Sequence, residues 1–418
     1  MALKDTLLAG YKDEQASVSA IRSSAKQKLE SLELPTIKNE EWKYTSVKSF
    51  DSKKYTWSDS KLSSDQLNSV EIPNLDAYKI FLVNGQFNAE LSELPTQNKV
   101  TVSSIADYLA SGGDASILNA QLKDDADAFS ALSTALFKDG YYVQVEKSAV
   151  LDKPVVVYYI NDASQPVVSI ARSVISVAEN AQATVIESYH AIGGEASLSN
   201  VATEILVGES ANVSYYKLQN EVATASHVGT TEVNIKDKAV FTAYTFSFDG
   251  EIVRNNLNMA LDGEHIEANM YGAYLLGGKT HVDNHTVADH LKPNCVSNEL
   301  YKGVLDHNSR GVFNGKVFVR PDAQKTNAFQ SNKNVLLTDT AKINAKPQLE
   351  IWADDVSCSH GCTVGQLDQN AIFFLRQRGI SKENAQKLLL QAFVLEVVEL
   401  VKIDAIKKYL TKIIDAKL

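Results

Sequence analysis

The spacing of hydrophobic positions changes character twice along this chain of 418 residues. Val18, Ile21, Ala25, Leu29 and Leu32 recur at helical intervals among Lys26, Lys28 and Glu30, and Pro35 ends the run. From about residue 140 the pattern becomes short and β-branched. Tyr141 to Val145, Val155 to Ile160, Ala183 to Glu187, Ala211 to Tyr216 and Val240 to Tyr244 read as strands, and no comparable stretch up to residue 355 has the period of an amphipathic helix. Helical spacing then returns. Gly379 closes one helix, and Ser381 caps the next with Glu383 in its first turn. Ala385, Leu389, Ala392 and Phe393, extended by Val397, Leu400 and Val401, form one apolar stripe; Ile403, Ile406, Leu410 and Ile413 form a second.

The turns inside the β region set its architecture. Asp262-Gly263, Gly277-Gly278, Asp306-His307-Asn308, Pro321-Asp322 and Thr338-Asp339 punctuate strand starts near His265, His281, Cys295, Gly311, Lys325, Lys342 and Val356. These starts are roughly 14 to 17 residues apart, wider than the ~8–12 residues of sandwiches and barrels. Such spacing without a fixed motif predicts a solenoid whose coils each carry more than one short strand. The expected fold is mostly β: a parallel β-helix over residues 96–360, between an N-terminal helical region (1–95) and a C-terminal one (361–418). Coils pair with their neighbours, so unpaired edges fall at the two ends of the stack, where the flanking helices are expected to act as caps.

Composition narrows the function. Lys plus Arg is 41 against 51 Asp plus Glu, a net charge of −10, which argues against general nucleic-acid or anionic-membrane binding. No stretch reaches the ~18–20 apolar residues of a membrane span. Three cysteines are too few for a disulfide framework and suit a reducing compartment. The opening Met1-Ala2-Leu3-Lys4-Asp5 lacks the apolar run of a secretory signal, so a cytoplasmic protein is the expectation.

The densest chemistry lies in Cys358-Ser359-His360-Gly361-Cys362. Two thiols and an imidazole are soft-metal ligands, and on a strand all three share one face. Residues two apart on a strand are separated by ~6.6 Å, while thiolates sharing an ion sit ~2.3 Å from it. A straight strand therefore cannot gather three ligands on one ion, and a second chain is the natural source of the rest; buried thiols with a hydrogen-bonded histidine are the competing reading. His281 and His285 would share a strand face with His290 on the other, a pattern favouring polar packing over chelation. Cys295 reads as a small buried residue. GxxxxGK[ST], HExxH, GxSxG and CxxC are absent from the sequence, so a non-enzyme is expected.

The run Lys346 to Val356 followed by Cys358-Ser359-His360-Gly361 closely resembles the SufB/SufD family, on its SufD branch. Thr363 to Asp368, Phe373 to Ile380, Asn39 to Thr45, Ser309 to Gly315 and Gln324-Lys325-Thr326 resemble it in the same order. The resemblance implies a right-handed parallel β-helix working in iron–sulfur cluster assembly, with a SufB-like paralogue and two copies of a SufC-type ATPase as partners. It implies that Cys358 and His360 lie at the interface of the two β-helices as ligands for iron and for a transient cluster shared with the partner subunit, and that residues 366–418 dock the ATPase. Cys362 stands where the family commonly has alanine and is not carried over. Whether the chain alone forms a homodimer is left open. A β-helical polysaccharide lyase or hydrolase, or a purely structural partner subunit, are the alternatives.

Overall fold

The structure is a computed structural model that describes residues 3–11, 18–60, 62–123 and 126–418; Met1 and Ala2 of the opening segment lie outside them. The helices are α1 (Leu3–Gly10), α2 (Ser19–Ser31), α3 (Ser64–Val70), α4 (Ile105–Ala110), α5 (Ala128–Leu136), α6 (Gln369–Arg376), α7 (Lys382–Val398) and α8 (Asp404–Lys417). The first strands are β1 (Tyr78–Val83), β2 (Gln86–Phe87), β3 (Val100–Ser104), β4 (Tyr141–Val145), β5 (Val155–Ala163), β6 (Val167–Val177), β7 (Gln182–Gly193), β8 (Ser197–Val207), β9 (Asn212–Asn220) and β10 (Ala225–Ile235). The rest are β11 (Val240–Asp249), β12 (Ile252–Leu261), β13 (Glu267–Leu276), β14 (His281–His290), β15 (Val296–Leu305), β16 (Arg310–Val319), β17 (Asn327–Leu336), β18 (Lys342–Ile351) and β19 (Ser357–Gly365).

From β5 onward consecutive strands alternate between two sheets. Odd-numbered strands from β5 to β19 stack in parallel on β1, and even-numbered strands from β6 to β18 stack on β4. Each coil therefore carries two strands, in keeping with the expected more than one per coil. Ile252 lies beside His281 and His281 beside Arg310, a 29-residue advance per coil. The result is a mostly β solenoid of about eight turns with helices at both termini.

One corner repeats in every coil. Ser148, Asn180, Ser210, Lys238, His265, Asn294 and Lys325 all have φ between 56° and 62°. Several of them donate their backbone N–H to a carbonyl one coil further on: Asn180 to Glu209, Ser210 to Asp237, Lys238 to Glu264, Asn294 to Gln324 and Lys325 to Asp355. The residue that follows points inward and is mostly small: Ala149, Ala181, Ala211, Ala239, Cys295 and Thr326 are all buried. Cys295 is thus one member of a small-residue column, its thiol donating to the Gly263 carbonyl at 3.1 Å.

The helices do not cap the stack, contrary to expectation. The N-terminal helices cover one sheet, packing Leu29, Phe129 and Leu132 with Ile170, Val174 and Leu198. The C-terminal helices fold back over the other, packing Leu390, Val394, Leu410 and Ile414 with Tyr216, Phe246 and Val304. The outer faces that these helices cover are apolar, and an apolar sheet face must be buried against another layer. The start of the stack is closed by the antiparallel strands β2 and β3. At its far end β18 and β19 have no outer partner among the described residues.

Boundaries and phases shift accordingly. β1, within the expected helical region 1–95, already belongs to the solenoid, and β19 runs to Gly365, past the expected limit at 360. The α7 stripe that is buried comprises Ala385, Leu390, Val394, Val397 and Val398, while Ala392 is exposed and Leu389 only half-buried. In α8 the buried set is Ile406, Leu410 and Ile414 rather than Ile413. Sandwiched between the solenoid and each other, these helices offered two apolar phases, and tertiary packing selected one.

Candidate functional site at the open end of the solenoid

Cys358, His360 and Cys362 lie on β19, in register with Ala328, Gln330 and Asn332 of β17. All three of those β17 residues are buried, so the shared face of the β19 residues is the inward one, at the mouth of the solenoid. Cys358 is half-buried against the core. His360 and Cys362 are exposed because no further coil covers them. The Cys362 thiol donates to Asn332 Oδ1 at 3.7 Å. The three are ranged along one strand, and no group of three or more His, Cys, Asp or Glu residues able to hold a metal occurs among the described residues. Burial pushes both thiols upward in pKa, a backbone hydrogen bond from Ala328 partly offsetting this at Cys358. Both are therefore neutral at physiological pH and must lose a proton to ligate a metal.

Polar groups the sequence did not single out lie directly behind this face. Glu299 is fully enclosed, and burial raises its carboxyl to about 7 against hydrogen bonds from Thr286 and Gln330. On the outer side of the same strands a cavity is lined by Tyr271, Leu300, Phe329, Ser331, Ser359 and Gly361, whose positions alternate with the inward column. Nothing in the residue types around Glu299 flags it, since its neighbours come from other coils. The rim is apolar: Ile351 and Trp352 at the end of β18, Val364 on β19 and Phe329 on β17 are exposed. Trp352 stacks with Phe318, and Arg320 lies over both rings while forming two 2.8 Å bonds to Asp289.

The other histidines do structural work. His281 Nε2 pairs with Thr45 Oγ1 at 2.8 Å, and burial lowers its pKa. His285 bridges Asp283 at 3.0 Å and Glu41 at 3.4 Å. His290 faces inward and meets Ser297 Oγ at 2.9 Å, with burial lowering it to about 4. The Asn39 to Thr45 segment clasps this region. Trp42 packs under the Arg254 guanidinium, Glu41 pairs with Lys316 at 2.5 Å, Glu40 pairs with Lys346 of β18, and Thr45 donates to Asp283. The hydrogen bond to His285, with Lys316 assisting, holds the Glu41 carboxyl down at about 2.

A second exposed apolar patch sits on α6, where Phe373 and Phe374 are 61% and 53% exposed and Arg378 lies over the Phe374 ring. Behind α6 the helices are tied to the solenoid. Tyr244 donates to the Leu400 carbonyl at 2.9 Å, and the buried Lys302 donates to the Phe393 carbonyl at 2.9 Å and pairs with Glu396. No helix among the described residues is long and apolar enough to cross a membrane.

Comparison with known proteins agrees with this architecture. Residues 158–393 match the family described as SUF system FeS cluster assembly, SufBD core domain, and residues 9–157 match the SufBD protein N-terminal region. The chain is 29% identical to an iron–sulfur cluster assembly SufBD family protein of Synechocystis, across 100% of this chain and 94% of the relative. It is 29% identical to the iron–sulfur cluster assembly protein SufD of Escherichia coli (90% and 87% covered) and 28% identical to that of Bacillus subtilis (71% and 68%). Two family models that together run through solenoid and helices alike, with relatives matching over nearly the whole length, show that this chain belongs to the SufBD family of iron–sulfur cluster assembly proteins.

Proposed function

We propose that this chain is the SufD-type, non-catalytic subunit of a cluster-assembly scaffold, with Cys358 and His360 acting as ligands for incoming iron and for the nascent cluster, its cargo. The observation that carries this reading is the placement of both residues on the inward face of an edge strand, at an end of the stack that no helix among the described residues covers. Unpaired strand edges rimmed by exposed apolar side chains favour association with another sheet. A SufB-like paralogue presenting its own open end would bury Trp352, Ile351 and Val364 and complete the ligand set. The same end offers a homodimer contact when the paralogue is absent.

The α6 patch and the helices behind it are suited to a SufC-type ATPase, two copies serving the pair of solenoids. Domain closure in the ATPases would pull on α7 and α8, which are anchored through Tyr244 and Lys302 to coils below β19. A packed solenoid yields little internally, so the displacement reaches the subunit interface and exposes Cys358 and His360. Both ligands bind iron only when deprotonated, so loading weakens in acid. The His360→Ala chain, co-expressed with its partners, should assemble normally yet lose most of the visible absorption of reconstituted cluster. Normal cluster yield and normal maturation of iron–sulfur enzymes in cells carrying His360→Ala would refute the ligand assignment.

A further inference from the structure

Along the inward face of the odd-numbered sheet, Val155, Val185, Tyr215, Ala243 and Met270 follow one another in register, coil upon coil, and all lie in the apolar core. The same column then turns polar for its last three positions, Glu299, Gln330 and His360. Both carboxyl oxygens of Glu299 accept hydrogen bonds, one from Thr286 Oγ1 at 2.5 Å and the other from Gln330 Nε2 at 2.7 Å. The Gln330 carboxamide is thereby oriented: its nitrogen is committed to Glu299. Its Oε1 is buried and has no hydrogen-bond partner among the described residues. Across the lumen Gly315 leaves the room this carboxamide occupies, since a Cβ there would collide with Nε2. An unmet buried carbonyl oxygen is a costly feature in a native protein.

The next residue in the column is His360. Neighbouring strands lie about 4.8 Å apart, so His360, exposed on its edge strand one register position beyond Gln330, is the adjacent side chain that can turn toward that oxygen. We infer that Gln330 is a positioning residue for His360: its Oε1 accepts one imidazole N–H and so leaves the other ring nitrogen as a lone pair directed at the open end. A hydrogen bond at one nitrogen selects the tautomer and aims the other. This inference rests on the proposed role of His360 as an iron ligand, yet it makes a claim that holds without iron.

The test is ¹⁵N NMR of the full chain labelled at histidine, with the His360 signals assigned by their loss in His360→Ala. In the unsubstituted chain, read with the imidazole in its neutral form, the two His360 nitrogens should give well-separated shifts, one carrying the proton and one bare. In Gln330→Leu they should converge toward a common averaged value, while the other histidines keep theirs and so report an intact fold. Gly315→Ala, which displaces the carboxamide without touching position 330, should scramble the tautomer as Gln330→Leu does. A His360 spectrum unchanged in both Gln330→Leu and Gly315→Ala overturns the inference. Scrambling in Gln330→Leu together with normal cluster yield from His360→Ala would uphold the positioning role and reject the iron role.

Discussion

At the scale of single residues, burial decides what each titratable group does. His290 faces the core, where desolvation lowers its pKa from 6.5 to about 4. Between those values the unfolded chain binds the proton and the folded chain does not, so stability rises with pH through that window and falls as the solution is acidified. His290→Gln, which can still bond Ser297, removes this term. Relative to its value at pH 7.5, the stability of the variant against the parent chain should improve by about 2 kcal/mol at pH 5. Denaturant titrations at the two pH values check it, and an equal difference at both would mean that His290 is not buried neutral. Cys295 and Cys358 differ for the same kind of reason. They are equivalent as residue types, but one occupies an enclosed corner column and the other the last, uncovered coil. The bland reading of Cys295 and the polar-packing reading of His290 were open to sequence, the first from the ordinary burial of a lone thiol and the second from alternation along a strand. The setting of Glu299 and Gln330 was not, because it depends on residues one coil away.

Among the elements, the C-terminal helices show how an apolar stripe is resolved. Leu410 and Ile414 of α8 and Val394 of α7 are fully buried against the outer face of the odd-numbered sheet. Leu410→Ala removes a buried side chain and leaves a cavity, a change that costs about 2–5 kcal/mol. Because these helices pack on one face of the stack rather than within it, amide hydrogen exchange should accelerate across α7 and α8 while β10 to β14 keep their protection. Uniform acceleration would show that the helices and the solenoid unfold as one unit. Edge strand β18 carries its own signature in Pro347, which has no N–H to give to a ladder and is tolerated in sheets at an edge. Together with Lys342 and Lys346 it blunts β18 against indiscriminate pairing, leaving β19 as the more receptive edge.

For the whole molecule, the asymmetry between the two ends of the stack is the governing feature. The start is closed by antiparallel strands, and the far end exposes β18, β19 and a rim that includes Trp352, 49% exposed. A chain with that end free should self-associate in the absence of a paralogue. Light scattering on the isolated protein at micromolar concentration should report twice the 45.8 kDa chain mass, and Ile351→Lys with Trp352→Lys should return it to monomer. A monomeric parent chain, or a dimer indifferent to these substitutions, would place the contact elsewhere. The net charge of −10 keeps such a particle soluble without choosing its partner.

Local regularities along the chain were enough to determine the β-rich core, more than one strand per coil, the helical termini and the thiol–imidazole cluster on one strand face. Each follows from period, turn chemistry or spacing within a few residues. Tertiary structure alone decided which helix phase is buried, that the helices blanket the sheet faces and leave one end open, and that Glu299 and Gln330 stand behind His360. Those outcomes depend on register between coils some 29 residues apart, and register is set by packing and ladder hydrogen bonds that no short window of sequence contains.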